Sequence, residues 1–159
     1  MLQGKVTLSG SSLNRECWIS ELANSFIRQK YESKYSDEER FQFAETLEKK
    51  LKSFAIRCIE VYRALPLNDF VAQHIGKQLV RSSTLTATNY RAVRRARSQN
   101  EFYAKISIVV EELDESIYWL EMLIELNYFK QEKLSTLIND GSEVLPILSK
   151  SRRNTYQNG

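Results

Sequence analysis

Ser98-Gln99-Asn100-Glu101, followed by FYAKISIVVEELDESIYWLEMLIEL over residues 102–126, is the stretch that decides the fold. Ser98 can cap a helix while Glu101 reaches back to its start, which is the pattern of a capping box. Behind it Phe102, Ile106, Val109, Leu113, Ser116 or Ile117, Leu120 and Ile124 recur by threes and fours. That spacing is the apolar stripe of an amphipathic helix, and it ends near Leu126-Asn127. Upstream, Asn68 or Asp69 can cap a helix whose seam is Ile75, Leu79, Ser82, Thr86, Asn89 and Val93 and which is predicted to last to about Arg97. No residues are left between the two helices for a long link. They are therefore expected to be antiparallel neighbours, each of about 28 residues or roughly 42 Å at the rise of an α-helix.

Working outward, Ser36-Asp37-Glu38-Glu39 forms an earlier capping box, with its carboxylates at the positive end of the helix. Leu47, Leu51, Phe54, Cys58, Val61 and Leu65 then make a bundle-type seam, and Pro66 stops the helix by excluding Leu65 from the α region. A fourth helix is predicted from about Gln131 to Lys150 on Leu134, Leu137, Ile138, Val144, Leu145 and Leu148. Asn139-Asp140-Gly141 should weaken it, and Pro146 removes a donor and crowds residue 142, so a kink or break is expected. No segment alternates with period two, so no strand is predicted. The fold class is all-α, an antiparallel up-down-up-down four-helix bundle over residues 36–153. Before it lies an extension over 1–35, in which Leu13 to Tyr31 is weakly amphipathic and allows a short helix. After it, residues 154–159 read as a polar tail.

Composition narrows the function classes. The 159 residues suffice for one domain with a core; 42% are hydrophobic and 27% charged. Lys and Arg number 23 against 20 Asp and Glu, an excess of +3 that names no partner by itself. Cys17 and Cys58 are far apart, make no metal-ligand spacing, and read as reduced thiols, Cys58 in the core. The N-terminus has no apolar leader core, and no run of ~18 apolar residues occurs, so a cytoplasmic protein is expected. His74, the single histidine, cannot build a zinc site with two distant cysteines. Glu111, Glu112, Asp114 and Glu115 lack the Glu-x-x-His pairs of di-iron bundles. No metal, no cofactor and no catalytic group is expected. The aromatic residues Tyr118, Trp119, Tyr128 and Phe129 read as core or subunit packing.

Two polar constellations remain. Gln78, Arg81, Ser82, Thr86 and Asn89 interrupt the apolar seam of the second helix. They read either as a hydrogen-bonded network that fixes helix register, with Glu111, Glu112 or Glu115 pairing Arg81 or Arg91, or as the lining of a polar pocket at an oligomer axis. Arg91, Arg94, Arg95 and Arg97 put four arginines in seven residues. Arg91, Arg94 and Arg95 should share one helix face. Lys105, Lys150, Arg152 and Arg153 extend the charge. Cations suit a helix C-terminus, yet four arginines exceed what that dipole asks for, and a phosphate-binding patch is the sharper reading. No base-reading motif is visible, so binding would be backbone-driven.

The runs Ala64-Leu65-Pro66, Ile75-Gly76-Lys77-Gln78-Leu79-Val80-Arg81-Ser82 and Ala87-Thr88-Asn89-Tyr90-Arg91-Ala92 resemble the four-helix-bundle proteins encoded in 23S rRNA intervening sequences. Ala96-Arg97-Ser98, Glu101-Phe102, Lys105-Ile106, Val110-Glu111-Glu112, Asp114-Glu115-Ser116 and Trp119-Leu120-Glu121 continue the likeness, which spans Thr46 to Arg153. The resemblance implies a ring-like homopentamer. It also implies kinship with the accessory proteins of diversity-generating retroelements, which are basic pentamers that bind nucleic acid and a reverse transcriptase. It brings no catalytic residues. Residues 1–35 and Asn139–Ser142 depart from the family pattern. The function expected is a non-enzymatic oligomeric accessory protein that binds structured RNA rather than DNA, beside a reverse transcriptase. The alternative is a protein-interaction scaffold whose arginines are structural.

Overall fold

The computed structural model describes residues 36–157, and the expected short helix over 13–31 lies outside them. Among the described residues there are four α-helices and no strand: α1 (Asp37–Arg63), α2 (Phe70–Val93), α3 (Gln99–Glu125) and α4 (Gln131–Gln157). Consecutive helices pack on one another and α1 also meets α4, so the four enclose one core; α2 and α3 share the most extensive contact. The predicted seams are what is buried: Leu51 and Cys58 of α1, Leu79 of α2, Val109, Leu113 and Leu120 of α3, and Leu148 of α4 are closed off from water. Burying a side chain of this size is worth about 1.5–3 kcal/mol.

The helix starts follow their caps. Ser36 Oγ accepts from Glu39 N at 3.2 Å while Ser36 N donates to Glu39 Oε2 at 2.6 Å, a complete capping box. Asp69 rather than Asn68 caps α2, its carboxylate accepting from Ala72 N at 3.0 Å. The other oxygen of Asp69 accepts from Tyr128 Oη at 2.8 Å, which ties the start of α2 to the link between α3 and α4. The Ala72 amide and the Tyr128 hydroxyl together hold the Asp69 carboxyl below its usual range. Ser98 Oγ accepts from Glu101 N at 3.2 Å as expected. The return arm of that box is displaced by one residue: Glu101 Oε2 accepts from Arg97 N at 2.9 Å, not from Ser98.

Four expectations are corrected. Helix α2 has 24 residues, not about 28, and ends at Val93 instead of near Arg97. Arg95 N donates to Ala92 O and Ala96 N to Val93 O, so the chain tightens into a narrower turn and buries Ala96 before Ser98 opens α3. Second, Pro146 does not break α4. Pro146 and Ser142 are both exposed, so the carbonyl that loses its donor faces solvent. Third, Gly141 does not interrupt the helix, and it lies against its neighbours: a Cβ there would lie 3.0 Å from Ile117 Cγ1 and 3.1 Å from Phe54 Cε2. A side chain there would need Ile117 and Phe54 to give way by a few tenths of an ångström, so glycine suits the close approach of α4 to α1 and α3. Fourth, the tail expected from residue 154 is helical to Gln157, because Thr155 is buried and its carbonyl accepts from Gln99 Nε2 at 3.0 Å.

Helix α3 ends in a left-handed residue, Asn127, at φ 62°. Tyr128 N donates to Leu123 O at 3.0 Å and Asn127 N to Ile124 O at 2.8 Å, the two bonds of a Schellman motif. Asparagine tolerates this region better than other residues that carry a Cβ. Asn127→Gly should hold or raise the urea midpoint, and Asn127→Val should lower stability by about 1–2 kcal/mol. Equal midpoints for the two variants would show that the turn relaxes out of the left-handed region.

Candidate functional site

The α2–α3 interface carries the first polar group. Ser82, Thr86 and Ser116 are fully buried. Ser82 and Ser116 face each other with their hydroxyl oxygens 2.9 Å apart, and each also lies within reach of a carbonyl of its own helix, Gln78 O at 3.0 Å and Glu112 O at 2.7 Å. Thr86 Oγ1 donates to Ser82 O at 2.9 Å. Each of these three hydroxyls thus has a partner, which avoids the 1–3 kcal/mol cost of leaving one unmade.

At the rim of this seam Arg81 Nη2 donates to both Glu115 oxygens at 2.9 Å, and Nη1 lies 3.4 Å from Glu112 Oε1. Trp119 Nε1 also donates to Glu115 at 3.0 Å, and Arg81 Nε to Gln78 Oε1 at 3.2 Å. Gln78, Arg81, Ser82, Glu112 and Glu115 therefore meet. Asn89 does not join them: its Nδ2 donates to Leu85 O of its own helix at 2.9 Å, and Tyr90 takes the buried place beside it. Helix α2 advances 100° per residue, so the seam drifts from Asn89 toward Tyr90 near its end.

The arginines divide between two surroundings. Arg94 is only 21% exposed, pairs with Glu48 of α1, and stands over the Phe41 ring at 5.2 Å. Arg91 lies 3.9 Å from the same Glu48. Arg91 thus shares Glu48 with Arg94, and it also lines one open cleft of about 500 Å³ together with Arg95, Arg97, Thr88, Ala92 and Glu101. Arg97 is 89% exposed and reaches Glu101 at 3.5 Å. Glu101 is held below the usual carboxylate range, first by the Arg97 amide and then by nearby positive charge that includes Lys105.

Lys105, Lys150, Arg152 and Arg153 do not line that cleft. The Gln99–Thr155 bond nevertheless brings the last turn of α4, just after Arg152 and Arg153, beside the first turn of α3. Glu48 and Phe41 escaped sequence reading: Glu48 is 46 positions from Arg94, and nothing local to either residue announces the pair. Of the remaining sequence candidates, Cys58 is buried and its thiol is pushed up to about 12 by burial, so it is inert. His74 is exposed and lies beside the Phe70 ring. No helix among the described residues is long and apolar enough to cross a membrane.

Four helices around one core, with polar groups along a single interface and arginines at a tight turn, define a four-helix-bundle protein. The chain belongs to the 23S rRNA-intervening sequence protein family, whose profile matches residues 45–150. It is similar to a solved structure from Bacteroides thetaiotaomicron, a protein with unknown function from the S23 ribosomal protein family. The two are 31% identical over 67% of this chain and 97% of that one, with a TM-score of 0.61. No curated protein matches it.

Glu112 generates a pH prediction. Its side chain is 15% exposed, and Oε2 is buried with no hydrogen-bond partner. Burial raises its carboxyl above the ordinary value of 4.5, although Arg81 pulls the other way. An acid with a raised folded value favours the protonated fold, so its contribution is complete below pH 4.5 and is lost as pH climbs through the raised value. The cap carboxylates Glu39 and Glu101 act oppositely, contributing above 4.5 and failing as pH falls through their lowered values. Glu112→Gln should therefore gain stability relative to the parent as pH rises above 4.5 in paired urea titrations. A difference constant with pH would refute the assignment.

Proposed function

We propose that this protein is a non-enzymatic accessory factor that binds nucleic acid by its phosphate backbone, structured RNA in preference to DNA. The observation that carries the reading is the cleft at the α2–α3 turn, where Arg91, Arg95 and Arg97 stand against one carboxylate, Glu101. Guanidinium groups match phosphate oxygens in a planar, two-point geometry that a lysine ammonium does not offer. The carbonyl end of α2 favours cations, so holding arginines there costs little. Lys105, Arg152 and Arg153 add charge near the same end without lining the cleft.

The working unit in this proposal is the homo-oligomer that the family likeness implies, a pentamer of up-down-up-down bundles, which repeats the cleft around a ring and sums its field. The Arg94–Glu48 and Gln99–Thr155 contacts support that helix order, since they gather the early part of α1, the end of α2, the start of α3 and the end of α4. A reverse transcriptase is the protein partner proposed, and the cytoplasm the site of action.

The second reading, a protein-interaction scaffold with structural arginines, has its own support. Arg81 and Arg94 are both held by carboxylates of neighbouring helices. Leu67 and Phe70, each 84% exposed where α1 turns into α2, offer apolar surface.

Fluorescence anisotropy with an RNA hairpin and a DNA duplex, across a salt series and with mass measured by light scattering on the same sample, separates the readings. The first requires an affinity that falls linearly with log salt at a slope of about −0.7 to −0.9 per phosphate contacted. Arg91→Gln combined with Arg95→Gln should abolish binding while leaving the unfolding midpoint close to that of the parent, since neither sets a new carboxylate against Glu48. Arg94→Glu should instead lower stability, because it sets a second carboxylate against Glu48. Binding that survives the double substitution would remove the cleft from the proposal, and the mass of one 18.6 kDa chain would remove the oligomer.

A further inference from the structure

Phe41 lies on the second turn of α1, N-terminal to the span matched by the family, and is 54% exposed. Single exposed apolar side chains are ordinary on protein surfaces, so the exposure alone says nothing. Its ring is nevertheless positioned, because the Arg94 guanidinium stands over it at 5.2 Å and is itself fixed by Glu48. Arg91, one helical turn before Arg94, reaches the same Glu48 at 3.9 Å and also lines the arginine cleft. The ring and the cleft are thus joined through a single Arg91–Glu48–Arg94 group. An aromatic face beside a cluster of guanidinium groups is the arrangement that accepts an unpaired nucleotide, its base on the ring and its phosphate on the arginines.

From this geometry we infer that Phe41 is a stacking platform for an unpaired nucleobase, so that the ligand is a nucleic acid with a single-stranded loop or end and not a continuous duplex. A base inside a helix has both faces covered by its neighbours, and only an unpaired one can leave the stack to lie on a side chain. The inference rests on the phosphate-binding reading of the cleft and narrows its ligand. Stacking tolerates any base, so no sequence preference follows from it.

Three probes separate the two claims: an RNA hairpin with a single-stranded loop, the same hairpin with an abasic loop, and the stem alone as a blunt duplex. The abasic loop keeps every phosphate and removes only the bases. The full-length protein should bind the intact hairpin roughly ten-fold more tightly than either of the others, as stacking of one base allows. Phe41→Ala should erase that preference and leave abasic-loop and duplex binding unchanged. Phe41→Trp should keep it. Phe43→Ala is the control, since Phe43 is 56% exposed but lies two residues away, about 200° around the helix. If Phe41→Ala weakens all three probes equally, Phe41 only positions Arg94 and the stacking claim fails. If the parent protein binds the intact and abasic loops alike, stacking fails while the cleft stands. If it binds none of the three, both readings fall.

Discussion

A single hydrogen-bonded contact, Ser82 to Ser116 at 2.9 Å, joins the two helices that share the most extensive interface of the molecule. Both residues are small, so α2 and α3 can approach closely, and both are polar and buried, so they cannot be left facing an apolar neighbour. A slide of one helix past the other by a single turn would break the contact between the two serines, although each hydroxyl would keep a carbonyl of its own helix. The flanking apolar residues, Leu79 on α2 and Leu113 and Leu120 on α3, are compatible with more than one register, because leucine packs on leucine without direction. The serines are not.

Once that register is set, the rim follows. Arg81 falls opposite Glu115 and Glu112, and Trp119 completes the Glu115 carboxylate from the next turn of α3. The arginine is 50% exposed, so the pair contributes little to stability and more to alignment. The same register places the end of α2 against the start of α3, where Glu101 reaches back to the Arg97 amide and shapes the turn that carries the arginine cleft. Glu48 then decides how the arginines are shared. It withdraws Arg94 into the α1–α2 contact and leaves Arg95 and Arg97 outside it. A charge run that looks uniform in the sequence is therefore divided in the fold into a structural arginine and an open group.

The fold was largely legible from residues because its signals are local. Ser36, Asp69 and Ser98 cap helices through bonds that span three residues, and seams such as Leu47–Leu51–Phe54–Cys58 follow the period of one helix. The errors lie where a local rule met a neighbour. Pro146 and Gly141 are helix breakers by propensity, yet α4 runs through both, since one is exposed to water and the other lies close against Phe54 and Ile117. Asn89 has the spacing of the seam but not its direction, because the contact drifts around α2 toward Tyr90.

By itself the sequence determined four helices, the caps Ser36 and Ser98, the tight turn after α2 and the family pattern, all of which rest on separations of a few residues or on direct likeness, and it narrowed the cap of α2 to Asn68 or Asp69. Only the tertiary structure decided which charges are spoken for. Arg94 meets Glu48 across 46 residues, Arg57 meets Asp140 across 83, and Tyr128 meets Asp69 across 59. Such pairs depend on the rotation and register of whole helices. Those depend on how the whole core packs, not on anything adjacent to the residues themselves.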